Sequence, residues 1–225
     1  MDNYSYINND KNIPDNFYSE KYNIHRLPYG IDFEKLTKRQ VTVTFDWCME
    51  NMPMMIEWLR DNCSEALGIS KDKLDFSLES IIYIWRWFLS IASLEYLKAE
   101  ELEPMINIRK KYGQPTELPF ESTVRLSEKT NYIMLDIAMY IGKCFSLLRP
   151  QLQWDCITKP KSDMFYGQPI LRGFQATFMG VTGETYCPVF HRVGVQASHC
   201  IYGTQKETDM YEACKKWKDN QLPGD

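Results

Sequence analysis

The stretch from Leu126 to Phe174 constrains this chain more than any other: LSEKTNYIMLDIAMYIGKCFSLLRPQLQWDCITKPKSDMFYGQPILRGF. Ser127 is a natural N-cap, Glu128 sits at the positive end of the helix that follows, and the next twenty residues are almost wholly apolar. Pro150 forces Arg149 out of helical geometry, so the helix is expected to stop near Leu148. LQWDCIT then has the alternation and aromatic content of a strand, KPKSDMFYG reads as a turn segment, and PILRGFQATFMG reads as a second strand. A packed helix handing over to strands through a proline stop implies an α+β domain.

The rest of the chain fits that frame. From Leu36 to Cys63, Val41, Phe45, Cys48, Met52, Met55, Ile56 and Leu59 recur at helical spacing, with Thr37 as N-cap and Gly68 as terminator. Pro53 either kinks one long helix or starts a second one capped by Asn51. Ser77 is expected to cap a helix running through LESIIYIWRWFLSIASLEYL, whose polar residues form one narrow stripe. Trp85, Trp87 and Phe88 then belong to the core. Residues 99–124 hold Pro104, Pro115 and Pro119 and read as a loop with a helical turn around 100–111. TGE predicts a tight turn, TYCPVFHRVGVQAS a third strand, and TDMYEACKKWKDN a short final helix. The expected layout is a helical N-terminal half with three or more long helices, packed with an antiparallel sheet of three to four strands. An extended arm over residues 1–30, one domain over 31–218 and a tail over 219–225 complete it.

Composition narrows the function classes. A chain of 225 residues can bury roughly 70% of its unfolded surface in one domain. A net charge of −4 argues against general nucleic-acid binding, which needs clustered Lys and Arg. The N-terminus has neither a basic nor an apolar signal region, and the run Ile81–Leu97 is interrupted by Arg86 and Glu95. These features predict a cytoplasmic chain without a membrane span. Seven widely spaced cysteines with no CxxC pair are read as reduced thiols.

Candidate chemistry is sparse. Cys187, His191, His199 and Cys200 are the best candidate for catalysis or metal binding. On an extended strand Cys187 and His191 share a face but stand about 13 Å apart, and adjacent His199 and Cys200 face opposite ways. Structural zinc favours close pairs, so no metal site is expected. A Cys187/His191 nucleophile pair, serving a hydrolase or transferase, remains the enzymatic alternative. Cys187 otherwise reads as a small core residue. Lys129, Asp136 and Lys143 lie seven apart on one stripe of the third helix and predict a solvated edge. Gly142 in that helix predicts close approach of another element, with the Trp154 strand as the natural neighbour. No phosphate-binding glycine loop occurs, so no cofactor is expected.

Three sets of residues carry a family likeness: Leu74, Asp75, Ser77, Ser80 and Trp85; Asp136, Ala138, Tyr140 and Gly142; and Trp154, Gln168, Pro169 and Leu171. Over residues 35–175 the chain resembles uncharacterised bacterial cytoplasmic proteins, some of them regarded as immunity proteins of polymorphic or contact-dependent toxin systems. That resemblance implies a protein partner, a toxin, neutralised by stoichiometric occlusion, and it supplies no catalytic residue. The expectation is therefore a non-enzymatic protein-binding module, with the enzyme and a structural or oligomeric scaffold as alternatives.

Overall fold

A computed structural model describes residues 24–222; most of the expected arm (1–23) and the last three residues of the tail lie outside the described residues. Six helices, α1 (Lys38–Leu67), α2 (Ser80–Ile91), α3 (Ala99–Lys111), α4 (Glu128–Leu148), α5 (Val189–Ser198) and α6 (Asp209–Gln221), accompany two small antiparallel sheets among them. One sheet pairs β1 (Leu94–Tyr96) with β2 (Val124–Leu126); the other is a meander of β3 (Gln153–Cys156), β4 (Pro169–Phe178) and β5 (Val181–Cys187). The fold class is α+β.

α1 starts where the sequence predicts. The Thr37 hydroxyl accepts from Gln40 N–H, and Gln40 Oε1 accepts from Thr37 N–H at 2.8 Å, a reciprocal cap. Pro53 lies inside a single helix, and Asn51 is no cap: its amide donates to Trp47 O at 2.9 Å. Gly68 ends the helix in the left-handed conformation, φ +61°. Val41, Thr44, Cys48, Met55, Ile56 and Leu59 form the buried face, which packs on α4.

α4 is the centre of the core and touches α1, α2 and α5. Ser127 Oγ accepts from Thr130 N–H at the start, and Arg149 turns extended before Pro150 at the end. Tyr140, Phe145, Ile133 and Ile141 are fully enclosed, as are Trp85 and Phe88 on α2.

Four expectations need correction. α2 ends at Ile91 rather than Leu97, because the cap of α4 captures Ser93: its N–H donates to Thr130 Oγ1 (2.9 Å) and its carbonyl accepts from Ser127 N–H (2.9 Å). The chain is thereby pulled into β1; Ser77 still caps locally, accepting from Ser80 N–H. Residues 99–111 form a full helix, not a loop with one turn. Glu100 and Glu101 in its first turn, and Arg109, Lys110 and Lys111 in its last, complement the helix dipole despite Pro104. The hairpin reverses at Met179–Gly180, both at positive φ (48° and 80°), not at TGE. Residues 189–198 form α5 instead of a strand. Pro188 ends β5 and pre-sets the helix start, and Val189, Val193 and Ala197 are buried at four-residue spacing.

Candidate functional site

The re-folding of 189–198 into a helix decides the fate of the sequence-predicted pair. Cys187 is the last residue of β5 and fully buried; burial pushes its thiol up to about 12. His191 lies in the first turn of α5, edge-on to the Phe165 ring at 5.0 Å, and burial followed by the Arg192 charge pushes its pKa down. A nearby cation favours a nucleophilic thiolate; the Arg192 charge acts in that direction on Cys187, but burial outweighs it. His199 and Cys200 open a 3₁₀ turn behind α5, with Cys200 buried and its thiol likewise raised to about 12. Among the described residues no three or more His, Cys, Asp or Glu side chains are grouped to hold a metal ion. All seven cysteines are free.

The stripe on α4 is not the solvated edge that its spacing predicts. Lys143 is exposed and Lys129 half-buried, but Asp136 between them is 1% exposed. His25 lies against it. His25 Nδ1 stands 3.6 Å from Asp136 Oδ2, and its ring meets Trp58 edge-on at 6.2 Å. Cys48 lies close enough for the Asp136 charge to reinforce the rise of its thiol, caused mainly by burial, to about 12. Sequence reasoning missed His25. It sits in an aperiodic segment more than a hundred residues from its partner, so no spacing signal points to it.

A cavity of about 780 Å³ opens between the 30–35 loop, β1–β2 and the start of α4. Arg125 bridges two of its carboxylates: Nε bonds Glu95 Oε1 at 2.6 Å, and Nη1 bonds Glu101 Oε1 at 2.5 Å. Glu101 also accepts from Lys98 N–H, and this bond, ahead of Arg125, holds its carboxyl below the usual range. Glu128 and Lys98 also line the cavity, so its lining carries four carboxylates against three cations.

The outer half of the β4–β5 hairpin is exposed. β3 pairs only with residues 169–172 of β4, so beyond the bulge at Gly173 (φ +95°) the two strands run on as a ribbon without a third strand. Gln175, Ala176 and Thr177 on one strand and Val181, Thr182, Gly183 and Glu184 on the other are all exposed. Met179 (90%) and Val181 (72%) crown the tip. Among the described residues no third strand pairs with either outer edge of the ribbon.

No helix among the described residues is long and apolar enough to cross a membrane. No family model, curated protein or solved structure matches this chain.

Proposed function

We propose that this chain is a non-enzymatic protein-binding module that captures an extended segment of a partner along the β4–β5 ribbon. One observation carries the reading: a two-stranded ribbon with both faces in water, open edges and an apolar tip. An isolated ribbon of this kind is marginally stable, and exposed edges invite pairing with another chain. Strand addition supplies main-chain hydrogen bonds for affinity, while Met179 and Val181 supply apolar contact. The finer reading is an immunity-type protein that occludes a toxin one-to-one, and it draws on the resemblance over residues 35–175.

A photo-crosslinking residue at position 181 in the full chain, used in the source cells, identifies the partner. The purified pair is then titrated against Val181→Asp and Met179→Asp. Both variants are expected to keep the thermal midpoint of the parent and to bind at least tenfold more weakly. Full affinity in both overturns the reading. A toxin activity suppressed at one-to-one stoichiometry by the parent, and not by Val181→Asp, supports the immunity form; suppression by both excludes the ribbon from it.

A further inference from the structure

We infer that residues 24–29 form a releasable strap, latched by His25 into a polar socket whose floor is the Asp136 carboxylate. Asp136 is the only charged residue among the described ones that falls in the buried class. Burying a carboxylate is costly, and an apolar residue would pack the middle of α4 at lower cost. What a carboxylate provides is a surface that tolerates water when it is uncovered, and an electrostatic neighbour for an imidazole when it is covered. His25 is such a neighbour: its Nδ1 stands 3.6 Å from Asp136 Oδ2, close enough for electrostatic contact though longer than a hydrogen bond, and its ring is seated against Trp58.

The strap is held lightly. It has no regular secondary structure, and Arg26, Pro28 and Tyr29 are exposed. Leu27 is its one deeply buried side chain, and Ile24 packs half-buried against the core. Segments with so few buried contacts open at low free energy relative to the core. The firm attachment begins farther along, where Phe33 is buried edge-on to Phe190 at 5.6 Å. Between strap and anchor lies Gly30, at φ +80° and with open space around it, a conformation suited to a hinge. Release about Gly30 takes His25 away from the Asp136 carboxylate and from Trp58.

Trypsin reads the latch directly, because Arg26 lies inside the strap and is exposed while its neighbours are pinned. When opening is fast relative to cleavage, the rate of cleavage after Arg26 reports the open population. In the full chain, His25→Ala is expected to speed formation of the fragment beginning at Leu27 about tenfold, with cleavage after Lys143 in α4 unchanged. His25→Phe, which keeps a ring against Trp58 and loses Nδ1, is expected to match His25→Ala. Asp136→Asn is expected to give a similar increase, and the double variant no more than either single one. The inference is overturned if His25→Ala or His25→Phe cleaves within twofold of the parent, or if Lys143 cleavage rises in step. A double variant whose effects multiply overturns it as well. Should Asp136→Asn fail to fold, the two His25 variants decide alone.

Discussion

Gly142 of α4 and Trp154 of β3 interlock: a Cβ built on Gly142 would lie 2.1 Å from Trp154 Cζ2 and 2.5 Å from Cη2. The indole fills the space that any side chain at 142 would need, and the helix meets the sheet there. Gly142→Ala gains about 1 kcal/mol of helix propensity but forces the indole from its seat, an overpacking cost of about 1–3 kcal/mol. The expected net loss is about 0–2 kcal/mol in urea denaturation. Combining it with Trp154→Leu is expected to recover part of that loss relative to the sum of the single changes. Strict additivity would show that the contact carries no strain.

Trp85 and Gln205 form a second predicted weak point. Trp85 is fully buried, and its Nε1–H donates to Gln205 Oε1 at 3.1 Å, tying α2 to the segment before α6. Gln205→Ala leaves that donor without its acceptor and is expected to cost about 1–3 kcal/mol. A shift in the tryptophan emission of the folded protein should accompany the loss. An unchanged urea midpoint would mean that water replaces the amide.

Gly142 and Trp154 also mark how far sequence reasoning reached. A glycine inside an apolar helix has few physical explanations, and close approach was among them. Thr37, Ser127, Gly68 and Pro150 were equally legible, because caps and stops act through a residue's own backbone or its immediate neighbours. Residues 189–198 were not. Their Val and Phe content mimics a strand, and only burial at 189, 193 and 197 reveals the helical period. β1 was hidden because its cause, the Ser93–Thr130 and Ser93–Ser127 bonds, is tertiary. Asp136 fails for the same reason: helical arithmetic places it on a stripe, but whether a distant segment covers that stripe is not a property of the helix.

Tyr140 carries a further expectation. Its hydroxyl lies 2.6 Å from Ser80 Oγ and accepts from Phe76 N–H at 3.3 Å, while the Phe76 ring lies between Tyr140 (5.0 Å) and the Arg60 guanidinium (4.9 Å). Phe76 adopts φ +66°, an uncommon conformation for a bulky residue, and these contacts hold it there. Tyr140→Phe keeps the ring and removes the oxygen, so the expected cost is about 1–2 kcal/mol. Hydrogen exchange in residues 74–77 is expected to rise more than exchange in α4. Equal rises would place the effect in global stability alone.

The buried thiols predict how the protein responds to alkali. Burial pushes Cys48, Cys63, Cys187 and Cys200 up to about 12, from an ordinary value near 9. Between pH 9 and pH 12 the unfolded chain has released these protons and the folded chain has not. The unfolded state then binds fewer protons, so stability falls as pH rises, by roughly 1–2 kcal/mol per pH unit for each such thiol. Below pH 8 these groups add no slope. Urea midpoints should therefore be level in this respect from pH 7 to 8 and drop steeply by pH 10, with Cys187→Ala lessening the drop. In the native protein at pH 8, a thiol reagent is expected to label Cys156 first, since it is only half-buried, and to reach the other six at the rate of unfolding. A midpoint at pH 10 equal to that at pH 8, or fast labelling of Cys187, would contradict the enclosure of these cysteines.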